Sequence, residues 1–486
     1  MPPVTSTRPR DSLVRGLDDR LVGGLCLGVI LVATVASRAY LLGAGERNFD
    51  EGVYWLSLRA MQAGHPLYSA VYSSQPPAFL LLTQPVWALL GGSISAARTL
   101  MLAWSLVGIA SGAVIGWRLA GPVAGVSIAV ILAIDPLMVQ QSVILQADGP
   151  ATSLGLLAVA LAVCAVTARG DRGRAVTTVL AGVALAVGLL TKLLDAGVVP
   201  VIVLALAGTP RPRRALGLAL AGFAVVAAAF LLPYIPAWPA LWNQVVGLHL
   251  PTGSTAGQGI SVGYLTSWGR HELPEVGLAA LGVLLAWRTH PRLVWTGVLW
   301  VVCGLLVVAA THPVAQHYMI AMSPGLALLG GAAASRAAGW YKEIATGRWA
   351  LVVPAALLAV VAGALLVRSV QEVVGLPPEP AQVASIEQLV PPESQLLSDA
   401  EFNQAGADRQ APPGLVDTSL ERLHDSGLTP AWLEGQVAGD PELCGVLFAT
   451  DRLSTVTGFE RWVAASFPDR TELAGGAVMY RRSACA

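Results

Sequence analysis

Apolar stretches of about 20 residues, the length a helix needs to cross a bilayer, recur from residue 21 to about residue 369. No other feature limits the fold so strongly. Only 12% of the 486 residues are charged, about half the share usual in soluble domains. The chain therefore reads as an all-α polytopic membrane protein. The first 20 residues form a polar, basic arm. The apolar run behind it is long for a cleavable signal and has no small-residue cleavage site after it, so it is expected to stay as the first span.

Cytoplasmic loops collect Lys and Arg, which orients the chain. The clusters are Arg8/Arg10/Arg15/Arg20, Arg169/Arg172/Arg174, Arg211/Arg213/Arg214, Arg288/Arg292 and Arg336/Lys342/Arg348. Two apolar segments separate consecutive clusters, so all of them fall on one side. The expected spans are 21–43, 95–119, 122–140, 150–168, 175–191, 195–208, 215–236, 274–288, 292–310, 318–335 and 349–369. That is about eleven helices, with the N-terminus cytoplasmic in the plasma membrane. Residues 76–92, interrupted by Gln84-Pro85, fit the charge pattern only as an interfacial or re-entrant helix. Residues 51–63 alternate apolar and polar at helical spacing and are expected to lie on the membrane surface.

From about residue 370 the chain turns polar and proline-rich, and short strand-like runs such as "GVLFAT" and "GAVMYRR" follow. The expected organisation is a cytoplasmic arm (1–20), a transmembrane domain (21–369) and a small extracytoplasmic α/β domain (370–486). Cys444 and Cys485 lie in that last part, where a disulfide can form outside the cytoplasm. Cys26, Cys164 and Cys303 sit in apolar runs and read as small hydrophobes. A formal net charge of +0 gives no reason to expect a nucleic-acid partner.

Ionisable residues near membrane depth are costly, which makes them functional candidates. Here they gather at the outer span ends: Arg38, Asp50, Glu51, Arg98, Asp135, Asp148, Lys192 and His317. A transporter tends to place such groups at the midplane, whereas an enzyme acting on a lipid headgroup needs them at the interface. A carboxylate there can accept a proton from an acceptor hydroxyl, and nearby cations can neutralise a departing phosphate. A lipid-phosphate-linked sugar presents both needs. The chain has no D-x-D pair, phosphate loop, H-E-x-x-H or Cys/His metal spacing, so no metal and no cofactor beyond the donor is expected. Plain alternatives stand beside these readings. Asp50-Glu51 also suits a solvated loop, Asp148 a helix start, Lys192 a pair with Asp195, and Arg38 or Arg98 a snorkelling role.

Arg38, "FDEGVYWLSLRAMQAGHPLY" from Phe49, "QPPAFLLLTQPVWALLG" from Gln75, Arg98, Asp148 and "HYMIAMSPGLALLGG" from His317 together resemble the GT-C superfamily. These are glycosyltransferases that depend on polyprenyl-phosphate sugars, and the protein mannosyltransferase and aminoarabinose transferase branches are nearest in appearance. The resemblance implies an inverting transfer, outside the cytoplasm, from a lipid-linked sugar donor to an extracytoplasmic acceptor (glycan, lipid or protein). It makes Asp50 the base, Glu51 its support and Asp148 a second acidic site residue. Arg38, Arg98, Lys192 and His317 become candidates around the lipid phosphate. Tyr68 and Gln75 join the substrate-binding candidates from the loop they shape. Two departures stand out: Gln75 occupies a position where several relatives carry Lys, and Leu193-Leu194 follow Lys192 where relatives often have Gly-Pro. The rival class is a transporter or flippase of lipid-linked sugars.

Overall fold

The computed structural model describes residues 9–44, 48–249, 262–311, 314–344, 363–364, 367, 380–425 and 428–485. Among them, seven helices are long and apolar enough to cross a membrane. They are Leu21–Gly43, Ile94–Ala120, Asp148–Thr167, Asp171–Thr191, Pro212–Val245, Pro291–Ala310 and Gln316–Tyr341. Three shorter apolar helices, Pro122–Ile134, Leu193–Ala207 and Leu273–Ala286, fall where further spans are expected. The expected span 349–369 lies outside the described residues.

Local chemistry explains why some spans are shorter than their apolar runs. The run from Pro122 stops at Ile134 because Asp135 caps a new helix, Pro136–Gln141, accepting the Met138 N–H at 2.8 Å. Proline at the first position suits that restart. The Leu193–Ala207 segment begins as a 3₁₀ turn over Leu193–Val198 and becomes α-helical at Val199. Ala78–Leu89 has 12 residues and an internal Pro85. At 1.5 Å per residue it reaches only about 18 Å, short of the roughly 30 Å hydrocarbon core.

The Phe49–Gln62 helix departs from expectation. It does not present a wetted polar face, for Glu51 to Leu58 are all buried. The reason is the C-terminal region, whose Glu401–Gly406 helix packs directly on it. That region holds a four-stranded sheet of β1 (Gln395–Ser398), β2 (Leu443–Phe448), β3 (Asp469–Glu472) and β4 (Val478–Arg481). The order is β1-β2-β4-β3, with β1 parallel to β2 and the other pairs antiparallel. β3 is a charged edge strand, as edges commonly are, so apolar patterning does not reveal it. Cys444 on β2 is disulfide-bonded to Cys485, with Cα atoms 5.7 Å apart.

Candidate active site

Asn48 starts the helix that carries the paired carboxylates, its side-chain oxygen accepting the Glu51 N–H. Asp50 and Glu51 then occupy the first turn, where backbone N–H groups favour negative charge. Consecutive helix positions point about 100° apart, and the two carboxylates have different surroundings. Asp50 Oδ2 accepts from Gln146 Nε2 at 2.7 Å and lies 3.7 Å from His317 Nε2. The same histidine nitrogen is 3.9 Å from Asp148 Oδ2, to which Lys192 Nζ donates at 2.7 Å. Asp50, His317, Asp148 and Lys192 thus form one linked chain drawn from four segments. Lys192 also sits 4.4 Å over the Tyr318 ring.

Asp50, Lys192 and His317 open on a cavity of about 390 Å³, which Phe49, Tyr54, Gln75 and Tyr318 also line. Burial, followed by the fields of Asp50 and Asp148, pushes the Tyr54 hydroxyl well up, so it stays a neutral donor. A second cavity of about 240 Å³ shares Ser74, Gln75, Lys192 and Tyr318 with the first. Most of its remaining wall is apolar, including Leu193, Leu194, Val245, Val246, Val307 and Ala310. Lys192 and Gln75 therefore stand on the seam between a polar chamber and a greasy groove.

Other candidates lie elsewhere. Glu51 is fully buried, bound by Arg98 through Nε at 2.8 Å and Nη2 at 2.7 Å and by the Leu145 N–H at 2.8 Å. Neither Glu51 nor Arg98 lines the chamber; together they tie the first carboxylate helix to the Ile94–Ala120 span. Arg38 is also buried, donating to Ser105 Oγ at 3.0 Å and to the Ala133 carbonyl at 2.8 Å. Tyr68, at φ +67°, donates to the Gln75 carbonyl at 2.8 Å and so holds the loop that presents Gln75. Lys192 does not take Asp195 as its partner. Asp195 is buried against Gly155 and Gly188, where any side chain would collide with its carboxylate. Among the described residues, no three His, Cys, Asp or Glu side chains converge as a metal's ligands would.

Sequence reasoning missed two groups. Gln146 carries no motif, yet it holds Asp50. Asp417, Ser419 and Glu421 of the C-terminal region line the same chamber. They reach it because that region is docked firmly. A Cβ on Gly52 would strike the Phe402 backbone nitrogen and lie 2.7 Å from the Glu401 carbonyl carbon, so only glycine allows this approach. Phe402 packs edge-on to Trp55 at 5.8 Å, and Arg59 pairs with Asp408. Arg452 sits 4.0 Å over the Phe49 ring and Arg422 3.7 Å over Tyr72.

The chain folds as a multi-pass helical bundle whose carboxylate-bearing helix packs against a small α/β region, the cap, and solved structures share that fold. The family model described as dolichyl-phosphate-mannose-protein mannosyltransferase matches residues 74–238. ArnT from Cupriavidus metallidurans, solved bound to undecaprenyl phosphate, is similar at a TM-score of 0.66 and 17% identity, covering 94% of this chain and 97% of that one. The Archaeoglobus fulgidus oligosaccharyltransferase in its apo form is similar at 0.59 and 11% identity, covering 91% of this chain and 71% of that one. The archaeal oligosaccharyltransferase AglB from the same organism, in complex with an inhibitory peptide and a dolichol-phosphate, gives 0.56 and 11%, covering 92% and 71%. No curated protein matches the chain.

Proposed function

We propose that the chain is an integral-membrane inverting glycosyltransferase that moves a sugar from a polyprenyl-phosphate donor to an extracytoplasmic acceptor. The observation that carries this reading is the seam at Lys192. An apolar groove suits a polyprenyl arm, and the adjoining polar chamber suits a sugar, with an ammonium where the phosphate between them would sit. The family match over residues 74–238 and the lipid phosphates bound by ArnT and AglB support it.

Asp50 is the base in this reading, being the one of the paired carboxylates Asp50 and Glu51 that opens on the chamber, with Gln146 and His317 fixing its orientation. It takes the proton from the acceptor hydroxyl, whose oxygen bonds to the anomeric carbon. The carbon–phosphate oxygen bond breaks on the opposite face, and the electron pair leaves with the lipid phosphate. Lys192, His317 and the Tyr54 hydroxyl face the charge that develops. Gln75 assists on the seam, and Asp148 holds Lys192. The donor serves as substrate and no separate cofactor takes part. The basic clusters keep the N-terminus cytoplasmic. The Cys444–Cys485 bond supports an extracytoplasmic 370–486 domain beyond a 21–369 catalytic domain.

The test is Asp50→Asn in a deletion strain, read by mass spectrometry of lipid-linked sugars and envelope glycans. Transfer should fall by about 10²–10⁴, with donor accumulating, one glycan missing and wild-type amounts of folded protein in the membrane. Normal glycan in that strain, or glycan export without any bond being formed in liposomes, would sink the reading.

A further inference from the structure

Between the Pro136–Gln141 helix and the Asp148–Thr167 helix, a short stretch of chain meets both paired carboxylates. The Leu145 N–H binds Glu51, and the Gln146 side chain binds Asp50 Oδ2 at 2.7 Å. Gln146 Nε2 also reaches Asn48 Oδ1, at 3.4 Å. On its other side, Gln146 Oε1 accepts from Gln141 Nε2. Both glutamines are almost wholly buried. Gln141 is held from behind: a Cβ on Gly149 would lie 2.8 Å from the Gln141 carbonyl oxygen, so the Asp148–Thr167 helix packs directly on its backbone.

Hydrogen-bond polarity permits one arrangement of these amides. A backbone N–H can only donate, so the Glu51 N–H, 3.2 Å from Asn48 Oδ1, fixes that atom as an acceptor. An ionised Asp50 likewise only accepts. Gln146 must therefore turn its amino group toward both, which leaves its carbonyl oxygen facing Gln141. Gln141 in turn must present its own amino group. Its Oε1 then has no hydrogen-bond partner among the described residues. A buried, unmatched amide oxygen is costly, and an apolar side chain at this position would avoid that cost.

Resting on the reading of Asp50 as the base, we propose that Gln141 is a positioning residue for sugar transfer, acting through Gln146. Its donated hydrogen bond stops the Gln146 amide from turning over, which would set a carbonyl oxygen against the Asp50 carboxylate. With Gln146 held on Oδ2, Oδ1 is left to take the proton from the acceptor hydroxyl. Neither glutamine lines the chamber, so the effect on transfer runs through Asp50 rather than through substrate.

The test is a double-variant cycle on the full-length protein in the deletion strain, with glycan formed per folded protein read by mass spectrometry. Gln146→Met should cut transfer by about 10²-fold and Gln141→Met by about tenfold. Gln141→Met/Gln146→Met should be no worse than Gln146→Met alone, because the first residue works only through the second. Gln141→Lys, whose amine donates in either protonation state, should transfer faster than Gln141→Met, the reverse of what packing at a buried site would give. Affinity for decaprenyl monophosphate should be unchanged in all of them. Additive losses of transfer, or Gln141→Lys falling below Gln141→Met, overturn the proposal. Melting temperatures from the same cycle test the relay without any turnover: they too should be non-additive, and additive values overturn it. Normal transfer by Asp50→Asn would instead fail the base assignment and leave those melting temperatures as they are.

Discussion

From the extended break between two helices, Lys192 Nζ donates at 2.7 Å to Asp148 Oδ2 on the Asp148–Thr167 helix, and both side chains are almost wholly buried. Asp195, one turn from Lys192 in sequence, is left to its own glycine-lined space. Removing one member of a buried pair strands the other, at a cost of about 3–5 kcal/mol. Lys192→Met should therefore lower the melting temperature sharply, and Lys192→Met/Asp148→Asn should recover much of that loss. Affinity for decaprenyl monophosphate should stay low in both. A double variant no more stable than the single one would show that the pair is not the source of the cost.

Glu51 and Arg98 differ from Asp50 in what they touch, and their variants should differ in kind. The Arg98 fork binds both Glu51 oxygens, a geometry Lys cannot copy. Arg98→Lys and Glu51→Gln should reduce folded yield and melting temperature, while the folded fraction keeps its donor KM within about twofold. Asp50→Asn should show the reverse, with normal stability and lost turnover. A large donor KM change in folded Arg98→Lys protein would mean the arginine meets the substrate after all.

Gly52 has no room for a methyl group beside Phe402. Gly52→Ala must push the Glu401–Gly406 helix away from the carboxylate helix, and overpacking of this kind costs about 1–3 kcal/mol. Because the obstruction is backbone, the upper end is expected. A disulfide engineered across the Trp55–Phe402 contact should form readily in the parent and poorly in Gly52→Ala. Equal crosslinking in the two would show that the cap adjusts without moving.

These variants separate what the chain announces from what only folding reveals. Spans, polarity and the Asp50 helix are legible because hydrocarbon length and basic-residue asymmetry leave few alternatives. The partners of an interfacial charge are not. Arg98 and Lys192 both look like phosphate ligands at span ends, yet one is consumed by Glu51 and the other stands at a cavity seam. Nothing local in the sequence distinguishes them, since the deciding contacts come from distant segments. The 51–63 helix likewise reads as a surface helix until the cap that buries it is in place. Asp417 to Glu421 resembles an ordinary helix start in a soluble domain, and only docking brings it to the chamber.

Glu401 makes that docking sensitive to pH. Burial pushes its carboxyl up from 4.5 to about 8, against the opposing pull of Arg452 at 3.2 Å and the Thr418 hydrogen bonds. The folded protein thus holds this proton more tightly than the unfolded chain does. Stability from that preference is fully present below pH 4.5, declines as pH rises and is gone above about 8. Glu401→Gln keeps the neutral form at every pH, so its melting temperature should stay nearly level across that window while the wild type falls. Thr418 is the residue Glu401 holds, and it lies between Asp417 and Ser419. Parallel melting curves for wild type and Glu401→Gln between pH 5 and 9 would remove Glu401 as the titrating group.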